Sequence, residues 1–228
     1  MLRDILDIIF PQSCINCGGE SCVEKVICKK CLDEIVVNKN LFCGECSARL
    51  PEGKKICHRE CPYILGAAGN YQDEALRKLI LNFKFRGVKE AGVILSRLIT
   101  DYAKQINWSW GENLVVPIPL ASRREKERGF NQAQVIAEAF AKKMSLETEI
   151  NNLIRTKNTK PQNEISDYEV RASNIRGAFL VKRSERFDKK TVVLVDDVTT
   201  SGSTLYEAAC ALKESGVKKV LALTVAKA

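Results

Sequence analysis

Apolar residues recur at helical spacing in four segments of this chain. The four segments predict helices over residues 73–85, 90–106, 131–144 and 203–215. In the first of them, Leu76, Leu79 and Phe83 fall on one face, which indicates a helix packed on a core. Gly216 follows the last segment and is a typical residue for ending a helix.

Short continuous apolar runs lie between these helical segments. They predict buried strands over residues 64–71, 114–118, 191–195 and 219–225, with a shorter strand near 178–181. Strands that alternate with helices imply a mostly parallel sheet with helices on both faces. The predicted fold class is therefore α/β. At the N-terminus, apolar residues within 2–10 predict a short amphipathic helix that Pro11 ends.

The region between residues 14 and 61 has a different composition. It is poor in large apolar residues but holds nine of the ten cysteines, so it cannot build a core of its own size without an added staple. The composition changes near Pro62. We therefore predict two domains, a small one over residues 1–61 and a larger one over 62–228, whose core is expected to be independent.

The cysteines of this small domain form four close pairs. The eight predicted metal ligands are Cys14, Cys17, Cys28, Cys31, Cys43, Cys46, Cys57 and Cys61. The separation from Cys14 to Cys28 is 14 positions, and the separation from Cys43 to Cys57 is the same, so two similar units follow one another. Four thiolates suit tetrahedral Zn²⁺ and leave no open coordination position, which predicts two structural zinc ions.

The spacing leaves the assignment of ligands to metal ions partly open. Sequential pairing of neighbouring CxxC turns is favoured, and interleaved pairing is the alternative. Cys22 and His58 are uncommitted, and His58 could replace a neighbouring cysteine as a ligand. Cys210 lies on a predicted helix and is expected to be a small core residue.

The charge and the chain's start indicate a cytoplasmic, mildly basic protein. No uncharged apolar run reaches the roughly 18 residues that a membrane span needs, and no export signal precedes the cysteines, which favours metal over disulfides. The formal net charge is +8, and eight thiolates with two zinc ions would reduce it to about +4. This balance supports nucleic-acid binding only weakly.

The most informative segment follows the predicted strand 191–195. Two carboxylates, a run of hydroxyl residues and one glycine lead directly into the predicted helix: Asp196, Asp197, Thr199, Thr200, Ser201, Gly202, Ser203 and Thr204. Backbone N–H groups, hydroxyls and the helix dipole converge there, which favours a bound phosphate. Adjacent carboxylates suit the 2′ and 3′ hydroxyls of a ribose whose 5′-phosphate occupies the loop, directly or through a metal shell.

Other strand-to-helix loops fit this segment less well. A Walker loop would need a lysine in the pattern GxxxxGK[ST], which occurs nowhere in the chain. A phosphoacceptor aspartate at the strand end would not explain the hydroxyl residues 199–204. A purely structural strand, cap and helix is the remaining alternative.

The segment VVLVDDVTTSGST resembles the phosphoribosyl pyrophosphate loop of type I phosphoribosyltransferases. Further segments resemble the ComF family of competence-associated proteins, which join this fold to an N-terminal zinc ribbon. They are residues 116–119 (VPIP), Arg123, Arg124, 128–132 (RGFNQ), Arg155, Thr156, Gln162, Arg171 and 174–179. The resemblance implies a type I phosphoribosyltransferase-like domain after a small zinc-ribbon domain, and it covers nearly the whole chain.

By this resemblance, the turn after Pro119 matches a pyrophosphate-binding loop, and residues 155–174 match a loop that closes over substrate. Arg123 and Arg171 are then expected to bind the ligand, phosphoribosyl pyrophosphate with Mg²⁺ or a similar phosphorylated ribose. Arg128 is expected to join Asp196 and Asp197 in catalysis, because a departing pyrophosphate carries several negative charges. The competing interpretation is that these arginines are solvated surface charges.

Two functions from different classes fit the sequence. One is a binding protein that acts in DNA uptake, with single-stranded DNA and a helicase of the competence machinery as partners. The other is an active phosphoribosyltransferase, similar to amidophosphoribosyltransferases, in nucleotide metabolism; the chain ends soon after its last strand, so no C-terminal hood for a base is expected. Trp108, Trp110 and Phe130 could stack on bases, although covering the core is the favoured role of the tryptophans.

Overall fold

We describe a computed structural model of the 228-residue chain, in which residues 13–19, 22–23, 25–50, 57–157 and 177–228 are described. The predicted helix over residues 2–10 lies outside these ranges, as do Gln162 and Arg171. None of the helices in the described ranges is long and apolar enough to cross a membrane.

A seven-stranded sheet forms the centre of the molecule. In spatial order its strands are β4 (Arg49–Leu50), β3 (Leu41–Cys43), β5 (Ile64–Asn70), β11 (Lys219–Lys227), β10 (Thr191–Thr199), β6 (Asn113–Pro117) and β7 (Glu147–Thr148). The last five run parallel to one another, and β3 runs antiparallel to both β5 and β4. The mostly parallel sheet predicted from the sequence is confirmed.

Two short antiparallel hairpins lie outside this sheet. One pairs β1 (Cys22–Val23) with β2 (Ile27–Cys28), and the other pairs β8 (Leu153–Arg155) with β9 (Phe179–Val181). The second hairpin joins the two ends of the segment 158–176, whose structure is not described.

Six α-helices occur in the described residues. They are α1 (Lys29–Asp33), α2 (Glu74–Arg86), α3 (Lys89–Gln105), α4 (Ser122–Arg128), α5 (Gln132–Met144) and α6 (Ser203–Glu214). Helix α2 begins where the Asp73 carboxylate accepts a hydrogen bond from Leu76 N, and it ends at Gly87, which adopts a left-handed conformation. The four predicted helices are confirmed to within two residues at each end. Helix α4 was expected as a turn, because it has no buried residue and therefore no apolar periodicity.

The two faces of the sheet support two separate cores. Val193, Val195 and Leu223 point to one face and pack with apolar residues of α2, α3 and α5. Val192 and Leu194 point to the other face and pack with apolar residues of α6. This alternation follows from the two-residue period of a strand, and it confirms helices on both faces.

The cysteine-rich segment is built into these cores. Strand β3 extends the central sheet, with Cys43 opposite Ile64 of β5, and Phe42 is buried in the core beneath α6. Val26 and Ile27 are buried in the other core. The few apolar residues of this segment thus obtain their burial from the larger domain. The two segments thus share their cores in the folded chain, while the boundary at residue 61 and the independent stability of residues 62–228 stay predictions from composition.

Candidate functional site

The predicted phosphate loop lies at the carboxyl end of the parallel sheet. Strand β10 does not end at Val195 as predicted but continues through Thr199, because β11 pairs with it as far as Lys227. Asp196 and Asp197 are therefore strand residues, and their side chains leave the strand in different directions. Ligands of open α/β sheets bind at this edge.

Asp197 forms an ion pair with a residue of α2. Its Oδ1 lies 2.8 Å from Lys84 Nζ, and the two side chains are only 10% and 18% exposed. The same oxygen accepts a hydrogen bond of 2.6 Å from Val198 N. A pair buried to this extent is costly to break, because the remaining charge keeps its desolvation penalty without a partner. No local sequence pattern indicates this partner for Asp197.

Asp196 has a different environment. Its Oδ1 accepts a hydrogen bond of 2.8 Å from Asp197 N. The side chain keeps some exposure to solvent but is surrounded by many protein atoms. This burial raises the pKa of Asp196 to about 7, and the neighbouring Asp197 charge adds to the effect. Lys84 and Arg155 act in the opposite direction. A nearby cation, or a hydroxyl group that donates a hydrogen bond, would therefore stabilise the ionised form of Asp196.

The loop after the carboxylates leads into α6 through Gly202, which has a φ of 77°. Gly202 has no side chain to cap the first N–H groups of the helix, and Ser203 N makes only a long hydrogen bond of 3.5 Å to Ser201 Oγ. A helix start of this kind can bind an anion. Ser201 Oγ and Ser203 Oγ lie 2.9 Å apart. Thr200 is exposed and Thr204 half-buried, whereas Thr199 is buried and its carbonyl accepts a hydrogen bond from Ala228 N.

The basic residues near the loop differ from those that were predicted. Arg123 is 84% exposed and forms an ion pair with Glu127 over 3.0 Å, on the outer surface of α4. Arg128 donates to Gln132 Oε1 over 3.0 Å, and its guanidinium lies 5.1 Å from the centre of the Phe85 ring. In the described part of the chain, neither arginine contacts the carboxylates or the phosphate loop.

Two other arginines lie at this end of the sheet. Burial lowers the pKa of Arg155, the charge of Arg124 lowers it further, and Asp196 opposes both. The Asp196 charge thus acts on Arg155, and Arg124 is the cation that acts on Arg155 from its other surroundings. By the resemblance, Arg124 belongs to the basic turn after Pro119 that is expected to stabilise a departing pyrophosphate, and Arg155 begins the segment expected to close over substrate. The position of Arg155 depends on how β8 packs, and no local sequence pattern predicts this packing.

The three aromatic residues considered for base stacking are packed against other rings or the core. Phe130 lies 5.2 Å from Phe83, and Trp110 lies 5.6 Å from Phe140. Trp108 packs against the core cluster that contains α3 and α5. Of the described Phe and Trp side chains, only Phe85 is exposed, at 65%.

The first candidate metal centre brings together Cys14, Cys17, Cys28 and Cys31, whose sulfur atoms lie within 4.8 Å of one another. The sequential pairing of CxxC turns holds for this group. Burial opposes ionisation of Cys14, but hydrogen bonds from the backbone of Cys17 and Cys28 outweigh it and lower its pKa to about 6. The group rests on α2, where Lys78 Nζ donates to the Asn16 carbonyl over 2.9 Å.

The second candidate centre differs from the expected set in one ligand. Cys43, Cys46, Cys57 and His58 have their ligand atoms within 4.8 Å of one another, and Cys43 Sγ lies 3.5 Å from His58 Nδ1. Cys61, the predicted fourth ligand, is not in this group. The x3 spacing after Cys57 places both His58 and Cys61 within one turn, so spacing alone could not choose between them.

The Cys61 sulfur lies beside this centre, against Gly44, but makes a different contact. Its Sγ donates to the Tyr63 carbonyl over 3.3 Å, and burial raises the pKa of this thiol. It is therefore a half-buried thiol for which the protonated form is favoured in this arrangement.

Both centres fit a divalent soft metal ion such as Zn²⁺. Sulfur and imidazole nitrogen are the ligands that tetrahedral zinc prefers. Backbone hydrogen bonds outweigh burial and lower the pKa of Cys43 to about 6, but hydrogen bonding to Cys43 and Cys46 raises the pKa of Cys57 to about 11. The sulfurs of one group hence cannot all ionise together unless a cation compensates their charge.

Comparison with known proteins divides the chain in the same order. Residues 5–62 match the double zinc ribbon domain, and residues 91–228 match the phosphoribosyl transferase domain. The chain is 29% identical to competence protein F of Haemophilus influenzae over 96% of this chain and 98% of that protein. It is 27% identical to the DNA utilization protein YhgH of Escherichia coli, over 91% and 86% of the two chains. Competence protein ComFC of Bacillus subtilis is 28% identical over 63% of this chain and 56% of its own length.

Proposed function

This chain belongs to the ComF family, and from that membership we propose that it binds phosphoribosyl pyrophosphate with Mg²⁺ on the loop after β10. One observation carries the proposal. The partly exposed Asp196 stands near the carboxyl end of β10, and the short loop that follows this strand leads into a helix start whose N-cap, Gly202, has no capping side chain. This combination offers an acceptor for ribose hydroxyls beside donors for a phosphate.

In this proposal, different groups of the chain bind different parts of the ligand. The N–H groups at the start of α6, with the hydroxyls of Thr200, Ser201 and Thr204, hold the 5′-phosphate. Asp196 accepts hydrogen bonds from the ribose hydroxyls, and Lys84 keeps Asp197 in place beside it. A bound Mg²⁺ would neutralise the pyrophosphate oxygens.

The arginines are proposed to act on the pyrophosphate. Arg155 interacts electrostatically with Asp196, and Arg124 interacts with Arg155, so the two would supply positive charge where pyrophosphate would leave the sugar. Arg123, Arg128 and Arg171 keep this role as predictions from the family resemblance. Arg123 and Arg128 would need a rearrangement of α4 to reach the ligand, since their present contacts are Glu127 and Gln132.

The alternative function is turnover of this ligand. In a pentosyl transfer the bond between C1′ and the pyrophosphate oxygen breaks, the bonding electrons leave with pyrophosphate, and a nitrogen nucleophile such as ammonia bonds to C1′. The reaction needs no nucleophile from the chain. Asp196, Asp197 and Arg128 are the residues for which we propose a catalytic role in that case.

We further propose that the protein acts in DNA uptake in the cytoplasm, with single-stranded DNA and a helicase as partners. Relatives named for competence and for DNA utilization support this role. The specific observation in favour of DNA is the exposed Phe85 ring, with the Arg128 guanidinium 5.1 Å from its centre. Arg86, the next residue, is also exposed. An exposed aromatic ring beside cations is suited to base stacking and phosphate contact.

The two metal centres are proposed to hold structural zinc. The first uses Cys14, Cys17, Cys28 and Cys31, and the second uses Cys43, Cys46 and Cys57 with His58 in place of Cys61. Each group offers four protein ligands, which leaves no open position for chemistry.

Calorimetry with phosphoribosyl pyrophosphate, in the presence and absence of Mg²⁺, tests the ligand proposal. We expect saturable binding that Mg²⁺ strengthens, and weaker binding of ribose 5-phosphate, which lacks the pyrophosphate. A titration of the same sample with single-stranded DNA then tests the second partner. Heat from DNA but none from phosphoribosyl pyrophosphate would contradict the ligand proposal and leave a DNA-binding protein.

A further inference from the structure

The phosphate loop and the second metal centre contact the same buried side chain, Tyr63. Tyr63 is 3% exposed and lies immediately before β5. Its hydroxyl donates a hydrogen bond of 2.8 Å to the carbonyl of Gly44. Gly44 lies between Cys43 and Cys46, two ligands of the second centre.

The phosphate loop also lies against this hydroxyl. A Cβ atom at Gly202 would come within 2.8 Å of Tyr63 Oη, a distance that real Cβ contacts do not show. Gly202 also has a φ of 77°, so both its conformation and its contact with the phenol require glycine. The start of α6 thus packs directly against Tyr63.

The contact between Gly44 and Tyr63 is equally close. A Cβ atom at Gly44 would lie 2.8 Å from ring carbons of Tyr63 and 2.8 Å from Cys61 Sγ. The strand pairing of Cys43 with Ile64 fixes this turn against β5. The metal-binding turn, the phenol and the phosphate loop therefore form one continuous packed path.

The first metal centre has no such path in the described part of the molecule. Its polar contact with the larger domain runs from Asn16 to Lys78 on α2, on the face of the sheet opposite α6. The two centres thus differ in what they support, although their ligand spacing is similar.

We propose that the second metal centre positions the phosphate loop through Tyr63. Metal bound by Cys43 and Cys46 fixes the Gly44 carbonyl, this carbonyl holds the Tyr63 hydroxyl, and the hydroxyl supports Gly202 at the start of α6. Tyr63 is a positioning residue in this scheme, because it acts on the ligand through Gly202. The inference rests on the proposed binding of phosphoribosyl pyrophosphate by this loop.

Matched cysteine variants separate the two centres. Cys17 and Cys46 are both exposed and are each the second cysteine of a CxxC turn, so Cys17→Ser and Cys46→Ser are equivalent lesions in the two centres. We expect each variant to lose about one zinc ion per chain by elemental analysis. Cys46→Ser should weaken binding of phosphoribosyl pyrophosphate with Mg²⁺ about tenfold through lost preorganisation, and Cys17→Ser should change it less than about twofold.

Tyr63→Phe tests the path without removing a metal ligand. The variant keeps the ring and loses the hydrogen bond to Gly44, so zinc content should stay unchanged while amide hydrogen exchange at residues 200–206 becomes faster. Tyr102→Phe is the control, since Tyr102 is also a buried tyrosine whose hydroxyl donates to a backbone carbonyl, that of Asn40 over 2.7 Å, and it packs in the core on the other face of the sheet. Its exchange at residues 200–206 should match the wild type.

The readouts distinguish failure of the inference from failure of the proposed function. If the wild-type protein binds the ligand and both cysteine variants bind it equally well, the inference is wrong. If the wild-type protein does not bind the ligand, the proposed function is wrong, and hydrogen exchange still tests the path. Unchanged exchange at residues 200–206 in both Tyr63→Phe and Cys46→Ser would overturn it.

Discussion

Two adjacent carboxylates at the end of β10 have separate roles. From the sequence alone, Asp196 and Asp197 are equivalent, because their residue type and position predict that both bind the hydroxyls of the same ribose. In the structure, Asp197 forms a buried ion pair with Lys84, whereas Asp196 is partly exposed near the carboxyl end of the sheet. The carboxylate pair was predictable from the strand and the loop that flank it. The contact with Lys84 was not, because it depends on how α2 packs across the sheet.

The Lys84 and Asp197 pair should be important for stability. We expect Asp197→Asn to lower the free energy of unfolding by about 3 kcal/mol, because it leaves the Lys84 charge buried without its counterion. Urea unfolding measures this change. The control is Asp101→Asn, which breaks the exposed pair with Arg97 and should cost less than about 1 kcal/mol. Equal effects of the two substitutions would show that the Lys84 pair behaves as a surface pair.

The raised pKa of Asp196 should make the free energy of unfolding fall as the pH rises. Its pKa in the folded chain is raised to about 7, above its ordinary value, so the folded state holds a proton that the unfolded state has released. The resulting stabilisation is present at low pH and is lost as the pH rises toward about 7. We expect the melting temperature of Asp196→Asn to equal that of the wild type near pH 4 and to exceed it by a few degrees at pH 8. A variant that melts lower than the wild type at pH 8 would contradict this environment for Asp196.

At the scale of elements, the sequence predicted the long helices and strands because each has a clear apolar period. Strand β3 was missed, since Leu41, Phe42 and Cys43 are only three residues within a cysteine-rich segment. Its pairing with β5 is a long-range contact that supplies what local propensity does not. The extension of β10 through Thr199 was missed for the same reason, because β11 determines it.

The ligands of the second metal centre can be tested by substitution. We expect His58→Ala to lower the zinc content from about two ions per chain to about one, because a three-sulfur group holds zinc less tightly. Cys61→Ser should retain about two, since Cys61 lies outside the group. Elemental analysis of dialysed protein gives both values. The reverse result would restore Cys61 as the fourth ligand and leave His58 as a neighbour.

At the scale of the whole molecule, the cysteine-rich segment and the phosphoribosyl transferase domain share their cores. The sequence indicated only that the segment is too poor in apolar residues to fold without metal. It did not predict that Phe42 and Ile27 would be buried in cores of the larger domain, since burial partners that are distant in sequence leave no local pattern. Metal binding at one end of the chain is therefore coupled to the domain that carries the loop.

The proposed DNA surface lies at the exposed end of α2. We expect Phe85→Ala to weaken binding of single-stranded DNA by roughly 1–3 kcal/mol through loss of base stacking, with affinity falling as salt concentration rises. Leu180→Ala is the control, because Leu180 is also an exposed apolar side chain, at 53%. Fluorescence anisotropy at two salt concentrations measures both.

A second basic surface provides a further comparison for DNA. Lys189, Lys190, Lys218 and Lys219 line a cavity of about 330 Å³ at the amino end of the parallel strands, away from Phe85. If charge removal at these lysines weakens DNA binding while Phe85→Ala does not, the interface lies at that end of the sheet.

The central claim is that Asp196 and the loop after it hold a phosphorylated ribose. The most direct test measures the affinity for phosphoribosyl pyrophosphate with Mg²⁺ and the melting temperature on one variant, Asp196→Asn, at pH 8. We predict a loss of roughly 1–3 kcal/mol in binding, because a charged hydrogen bond to the sugar is removed, and a melting temperature no lower than that of the wild type. A destabilised variant that still binds the ligand with wild-type affinity would contradict the claim.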